Sequence, residues 1–68
     1  MILTIFFPAL IKKYIVESRP KNGAWQEVDS FRRLEQAEQA ARTFRRQRPE
    51  HEVRIINRMT RQVVRERG

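Results

Sequence analysis

One stretch of the chain, Leu34 to Gln47, carries an apolar stripe at helical spacing, and it limits what the rest can build. Leu34, Ala37, Ala41 and Phe44 recur every three or four residues with Ala40 beside them, which predicts a single amphipathic helix. A stripe that narrow must be buried against something, and its alanines permit close approach to a sheet. On both sides lie segments with strand-like alternation interrupted by turn residues. The order read from the sequence is therefore strand, strand, helix, strand, strand. Two hairpins joined by a helical crossover give an α+β fold, a four-stranded antiparallel sheet with one helix on one face.

In the first hairpin, residues 13–19 alternate, with Tyr14, Val16 and Ser18 on one face and Ile15 on the other. Pro20, Lys21, Asn22 and Gly23 follow as a turn, since proline fixes φ and Asn-Gly tolerates positive φ. The second strand, residues 24–31, has its large apolar residues Trp25, Val28 and Phe31 at a spacing of three. A regular strand facing one way cannot use that spacing. A bulge between Trp25 and Val28, or burial on both sides, reconciles it. Trp25 is read as a half-buried or core residue rather than a base-stacking platform.

The helix carries Glu35 and Glu38 early and Arg42, Arg45 and Arg46 late, an order that complements its macrodipole. Glu38 and Arg42, four apart, form a natural ion pair. Arg45, Arg46 and Arg48 are less fully explained by the sequence, in which the next acidic residue is Glu50. Pro49 ends the helix, and His51 is read as a solvent-exposed loop residue.

The second hairpin spans residues 53–68, VRIINRMTRQVVRERG. Apolar pairs align if Asn57 faces Gln62, Ile56 meets Val63 and Ile55 meets Val64. Val53, Ile55 and Val64 then share the core face with Asn57, Gln62 and Glu66. Arg54, Arg58, Arg61 and Arg65 share the other face with Ile56 and Val63. This register sets Arg54 opposite Arg65 and Arg58 opposite Arg61, like charges that weaken a ladder by a few tenths of a kcal/mol each. An anionic partner would explain keeping them; a solvated face of an arginine-rich chain is the alternative.

The charge distribution points the same way. Residues 1–31 carry four basic and three acidic groups, residues 32–68 eleven and five, and all eleven are arginine. The guanidinium fork suits phosphate and carboxylate, and a pI near 11.3 fits nucleic acid or an acidic protein surface. The chain has no cysteine and one histidine, which leaves no histidine/cysteine metal set and no thiolate. A nucleophile paired with a histidine base would depend on His51 alone. The expectation is a non-enzymatic protein with no cofactor, no metal and no small-molecule substrate, for which a cytoplasmic setting is natural.

Residues 1–11, MILTIFFPALI, are apolar but too few to span a bilayer, which takes about twenty as a helix. Lys12 and Lys13 follow the run instead of preceding it, unlike a signal peptide. The segment is read as an arm or edge strand, or as an upstream extension of a single small domain covering residues 12–68. Phe6 and Phe7 would point to opposite faces of a strand, so one of them is a candidate interface.

Gly23, Trp25, Phe31 and the run Ala37, Glu38, Gln39, Ala40, Ala41 carry a resemblance. Over residues 13–47 the chain resembles the AP2-like N-terminal domain of phage and transposon tyrosine integrases. It is also similar in pattern to small β-β-α-β-β proteins of phages and mobile elements. The integrase resemblance implies DNA binding through the sheet. Two functions follow as expectations. One is a nucleic-acid-binding module that grips phosphates with Arg54, Arg58, Arg61 and Arg65, assisted by Lys12, Lys13, Arg45, Arg46 and Arg48. The other is a phage-type protein-binding module or inhibitor that covers an acidic or nucleic-acid-binding surface of a host protein. It would use Phe6, Phe7, Ile56 and Val63, the same apolar groups that a homodimer would bury.

Overall fold

A computed structural model describes residues 11–67 of the chain, with side chains to residue 65. Residues 1–10, and with them Phe6 and Phe7, lie outside the described residues. The elements are β1 (Tyr14–Arg19), β2 (Gln26–Phe31), α1 (Leu34–Gln47), β3 (Glu52–Asn57) and β4 (Val63–Arg67). The sheet order is β2-β1-β3-β4 and every neighbouring pair is antiparallel. The expected β-β-α-β-β fold, with one helix against a four-stranded sheet, is the observed one.

The alanine stripe works as anticipated. Ala37 and Ala41 are buried against Val16, Val53 and Ile55, and Tyr14, Phe31, Leu34, Ala40, Phe44 and Val64 close around them half-buried. With Ala37 and Val53 at 0 % exposure, the helix backbone lies close to the sheet, and a larger residue at Ala37 would overpack the core. The helix lies over β1, β2 and β3, and β4 extends beyond it.

The central pair, β1 with β3, is regular over six residues, from Tyr14 opposite Asn57 to Arg19 opposite Glu52. On the helix side Val16 meets Ile55 and Ser18 meets Val53; on the far side Ile15 meets Ile56, Glu17 meets Arg54 and Arg19 meets Glu52. Apolar residues meet apolar ones and charges meet their opposites, which is what fixes a register.

Both outer strands carry a bulge. Val16 faces Asp29 while Glu17 faces Glu27, so Val28 is the extra residue of β2 and stands 43 % exposed. The sequence placed a bulge between Trp25 and Val28, or burial on both sides; the bulge lies at Val28 itself, between Glu27 and Asp29. The bulge in β4 was not anticipated. Ile56 meets Val63 as expected, but Ile55 then meets Arg65, Arg54 meets Glu66 and Val53 meets Arg67. The expected pairs Ile55 with Val64 and Arg54 with Arg65 are overturned, and Val64 becomes the extra residue. The physical reason is visible in the discarded register, which set Arg54 against Arg65. One inserted residue removes that repulsive pair and sets Arg65 opposite Ile55. Such bulges also twist an edge away from pairing with another chain.

His51 is not a solvent-exposed loop residue. Its ring packs edge-on against Phe44 at 5.7 Å, its Nε2 lies 3.8 Å from Glu50 Oε1, and its Nδ1 is buried without a hydrogen-bond partner. The helix end, not the loop's polarity, decides its place: the Arg48 carbonyl accepts from the His51 amide at 3.1 Å and folds the chain back onto Phe44.

Both turns follow their sequences closely. Asn57 and Gln62 pair through Asn57 N–H to Gln62 O at 2.9 Å, and Asn57 Oδ1 accepts from the amides of Met59 and Thr60 at 2.8 and 3.3 Å. In the first turn the Gly23 amide donates to Pro20 O at 2.9 Å and Asn22 takes the positive φ, 64°. Gly23 is required for space: a Cβ there would sit 2.5 Å from Pro20 Cγ. Gly23→Ala should therefore cost about 1–2 kcal/mol in urea unfolding, whereas Asn22→Gly should cost less than about 0.5 kcal/mol. A neutral Gly23→Ala would show that the turn opens at no cost.

Candidate functional site

The sheet face away from the helix was expected to present Arg54, Arg58, Arg61 and Arg65 together. The structure separates them. Arg54 Nε donates to Glu17 Oε1 at 2.8 Å, with both side chains less than a quarter exposed, and its guanidinium lies 4.0 Å from the Trp25 ring centroid. Arg19 approaches the same ring at 4.7 Å and bridges to Glu52 through two hydrogen bonds, 3.2 and 3.1 Å. Arg58 donates from Nε to the Lys12 carbonyl at 3.3 Å and places Nη2 3.9 Å from Glu27. Arg19, Arg54 and Arg58 are thus matched by Glu52, Glu17 and Glu27, and the face is close to neutral. Trp25 is half-buried as expected, and both nearby guanidinium groups engage it.

Arg61 stands apart at the β3–β4 turn in a left-handed conformation, φ 63°, with its amide donating to Asn57 O at 2.7 Å. A left-handed non-glycine residue costs about 1 kcal/mol. Lys12 and Lys13 are exposed at the start of β1. Lys12 borders a shallow depression with Asp29, Ser30, Phe31, Arg32 and Gln36, and Lys13 Nζ lies 5.3 Å from the Tyr14 ring centroid. Ile56 is half-buried opposite Ile15, and Val63 is 46 % exposed beside it.

Arg65 belongs to the other side. The bulge at Val64 turns it toward the helix, where its Nε donates to Glu38 Oε2 at 2.9 Å. There it borders a groove of about 630 Å³ between α1 and the strands β3 and β4, lined by Glu38, Ala41, Arg42, Arg45, Arg46, Arg54, Ile55 and Arg65. Arg54 borders this groove, although its guanidinium is held at Glu17 and Trp25. Arg42 and Arg46 are exposed and make no ion pair among the described residues. Among the described residues four guanidinium side chains, those of Arg42, Arg45, Arg46 and Arg65, surround the groove beside that of Arg54, with one carboxylate, Glu38. Among the described residues its apolar floor is Ala41 and Ile55.

The groove is bordered by four of the expected residues, Arg45, Arg46, Arg54 and Arg65, and adds Arg42. It excludes Arg58, Arg61, Lys12, Lys13 and Arg48. Arg48 is exposed at the helix C-cap, its amide donating to Phe44 O at 2.8 Å. Arg42 was assigned to Glu38 by the i,i+4 rule, but Arg65 takes that carboxylate. The helical spacing of Arg42, Arg45 and Arg46 was itself the indication that they share a face. Among the described residues no three histidine, aspartate or glutamate side chains converge as a metal site, and no helix is long and apolar enough to cross a membrane. No family model, curated protein or solved structure matches the chain.

Stability should divide the arginines accordingly. Arg54→Ala removes the Glu17 pair and the Trp25 contact together and should cost about 2 kcal/mol. Arg46→Ala should stay within about 0.5 kcal/mol. Urea midpoints for the two variants check this, and equal losses would contradict the separation.

Proposed function

We propose that the protein is a non-enzymatic nucleic-acid-binding module that holds the phosphate backbone in the groove between α1 and β4. The observation that carries the reading is the set Arg42, Arg45, Arg46 and Arg65 around an open groove with a single carboxylate among the described residues. Guanidinium groups bind phosphate oxygens through charge-assisted hydrogen bonds, and neutralised phosphates release counterions. Single-stranded nucleic acid is usually held by exposed aromatic rings on which bases stack. Among the described residues Tyr14, Trp25, Phe31 and Phe44 are all at least half-buried, so a duplex backbone suits the groove better. Contacts of this kind position a protein without reading sequence. The resemblance of residues 13–47 to AP2-like integrase domains favours DNA over RNA, and the cysteine-free chain suits a reducing cytoplasm.

Titration of a mixed-sequence DNA duplex at low salt tests this. With three to four phosphates engaged, log Kobs should fall against log salt with a slope of about −3. Arg42→Gln with Arg46→Gln should weaken binding on the order of tenfold or more, and Arg58→Gln with Arg61→Gln much less. No binding near 50 mM salt, roughly the ionic strength at which such contacts are strong, would sink the reading.

The second reading, a protein-binding module or homodimer, is favoured by Val63, 46 % exposed beside half-buried Ile56 on the opposite face. It requires an increase in mass in solution, or capture of an acidic protein that survives nuclease treatment and is lost on Val63→Lys.

A further inference from the structure

Among the described residues the groove has one carboxylate, that of Glu38. Glu38 projects from the helix into a ring of four arginines and takes the Nε–H of Arg65 at 2.9 Å. The contact is open to solvent, with side-chain exposures of 63 % for Arg65 and 31 % for Glu38. Ion pairs this exposed are screened and exchange partners readily. Glu38 also has a second cation within reach, since Arg42 stands one helical turn further on and makes no ion pair among the described residues.

We propose that Glu38 is a built-in competitor for the phosphate, occupying Arg65 until a phosphodiester displaces it. The inference rests on the phosphate-binding reading above and concerns the regulation of the same groove. When phosphate arrives, Arg65 leaves Glu38 for the phosphate oxygens, and the carboxylate turns to Arg42. The exchange leaves a negative charge beside the bound backbone and holds affinity down. Phosphate chains that reach several arginines at once can displace Glu38, whereas a lone inorganic phosphate competes poorly with a carboxylate tethered in place. The groove therefore discriminates in favour of polymers.

Glu38→Gln removes the competitor while keeping the size of the side chain. It should tighten duplex binding on the order of tenfold near 50 mM salt and leave the salt slope largely unchanged, because Arg65 engages the phosphate in both proteins. Glu35→Gln removes the same charge on the same helix from a residue outside the groove, paired with Arg33 at 4.0 Å. Its gain should be no more than about twofold, because Glu35 lies outside the groove lining and holds none of the groove's arginines. In an Arg65→Gln background the gain from Glu38→Gln should largely vanish. Equal gains from Glu38→Gln and Glu35→Gln, or an undiminished gain without Arg65, overturn the inference and leave the functional reading standing. Failure of the native chain to bind overturns the functional reading and this inference with it.

Discussion

The pairing of β1 with β3 is the constraint on which the rest of this small domain depends. It joins segments far apart in sequence, with Glu17 and Arg54 separated by 37 positions, so it forms only after a costly loop closure. Its register is settled on both faces at once. A slip by one residue would turn Glu17 and Arg19 toward the alanine stripe and move Val16 to the outside. Burying either charge without its partner would cost several kcal/mol. The helix can lie close to the sheet because that register delivers Val16, Val53 and Ile55 to one side without a charge among them. A chain of 68 residues has little apolar area to spare, so an unambiguous register matters more here than in a larger protein.

The outer strands obey a looser rule. Neither is regular: β2 skips Val28 and β4 skips Val64. A regular β4 would have continued the alternation, set Arg65 against Arg54 and kept it on the far face. The bulge removes that repulsion and hands Arg65 to the helix side, so the relief of one local clash and the completion of the groove are the same event. The far face, left with Arg19, Arg54 and Arg58 against Glu52, Glu17 and Glu27, becomes a set of ion pairs on which Trp25 packs. Charge that looked like one arginine stripe is divided into a neutral structural face and a cationic groove.

What was legible in the sequence followed from short-range rules. The helix bounds came from the spacing of Leu34, Ala37, Ala41 and Phe44. The four-residue loop at residues 58–61 came from matching Ile56 to Val63, and the irregularity near Val28 came from a spacing no flat strand can use. The same rules failed where a residue's partner lies in another element. Arg42 was matched to Glu38 because both sit on one helix, yet Arg65 reaches that carboxylate from β4. His51 appeared polar and unpartnered because nothing local shows that the helix end folds back onto Phe44. The β4 bulge left one trace: Arg54 facing Arg65 was unfavourable, and Glu66 stood one residue away. Taken as a request for an anionic partner, that clash concealed its simpler resolution within the hairpin.

The helix macrodipole accounts for part of the cationic groove and no more. Arg45 and Arg46 lie in the last turn of α1, where the partial negative charge of the helix end offsets their mutual repulsion. That benefit fades within a turn, so it reaches Arg42 weakly and Arg65, on another element, not at all. Arg65 instead rests on a single exposed hydrogen bond to Glu38, which contributes at most about 1 kcal/mol. Fold stability therefore gives little reason to add a fourth guanidinium to three that already repel one another. On the proposed function an anion in the groove would supply that reason, because its charge would turn each of those repulsions into a shared attraction.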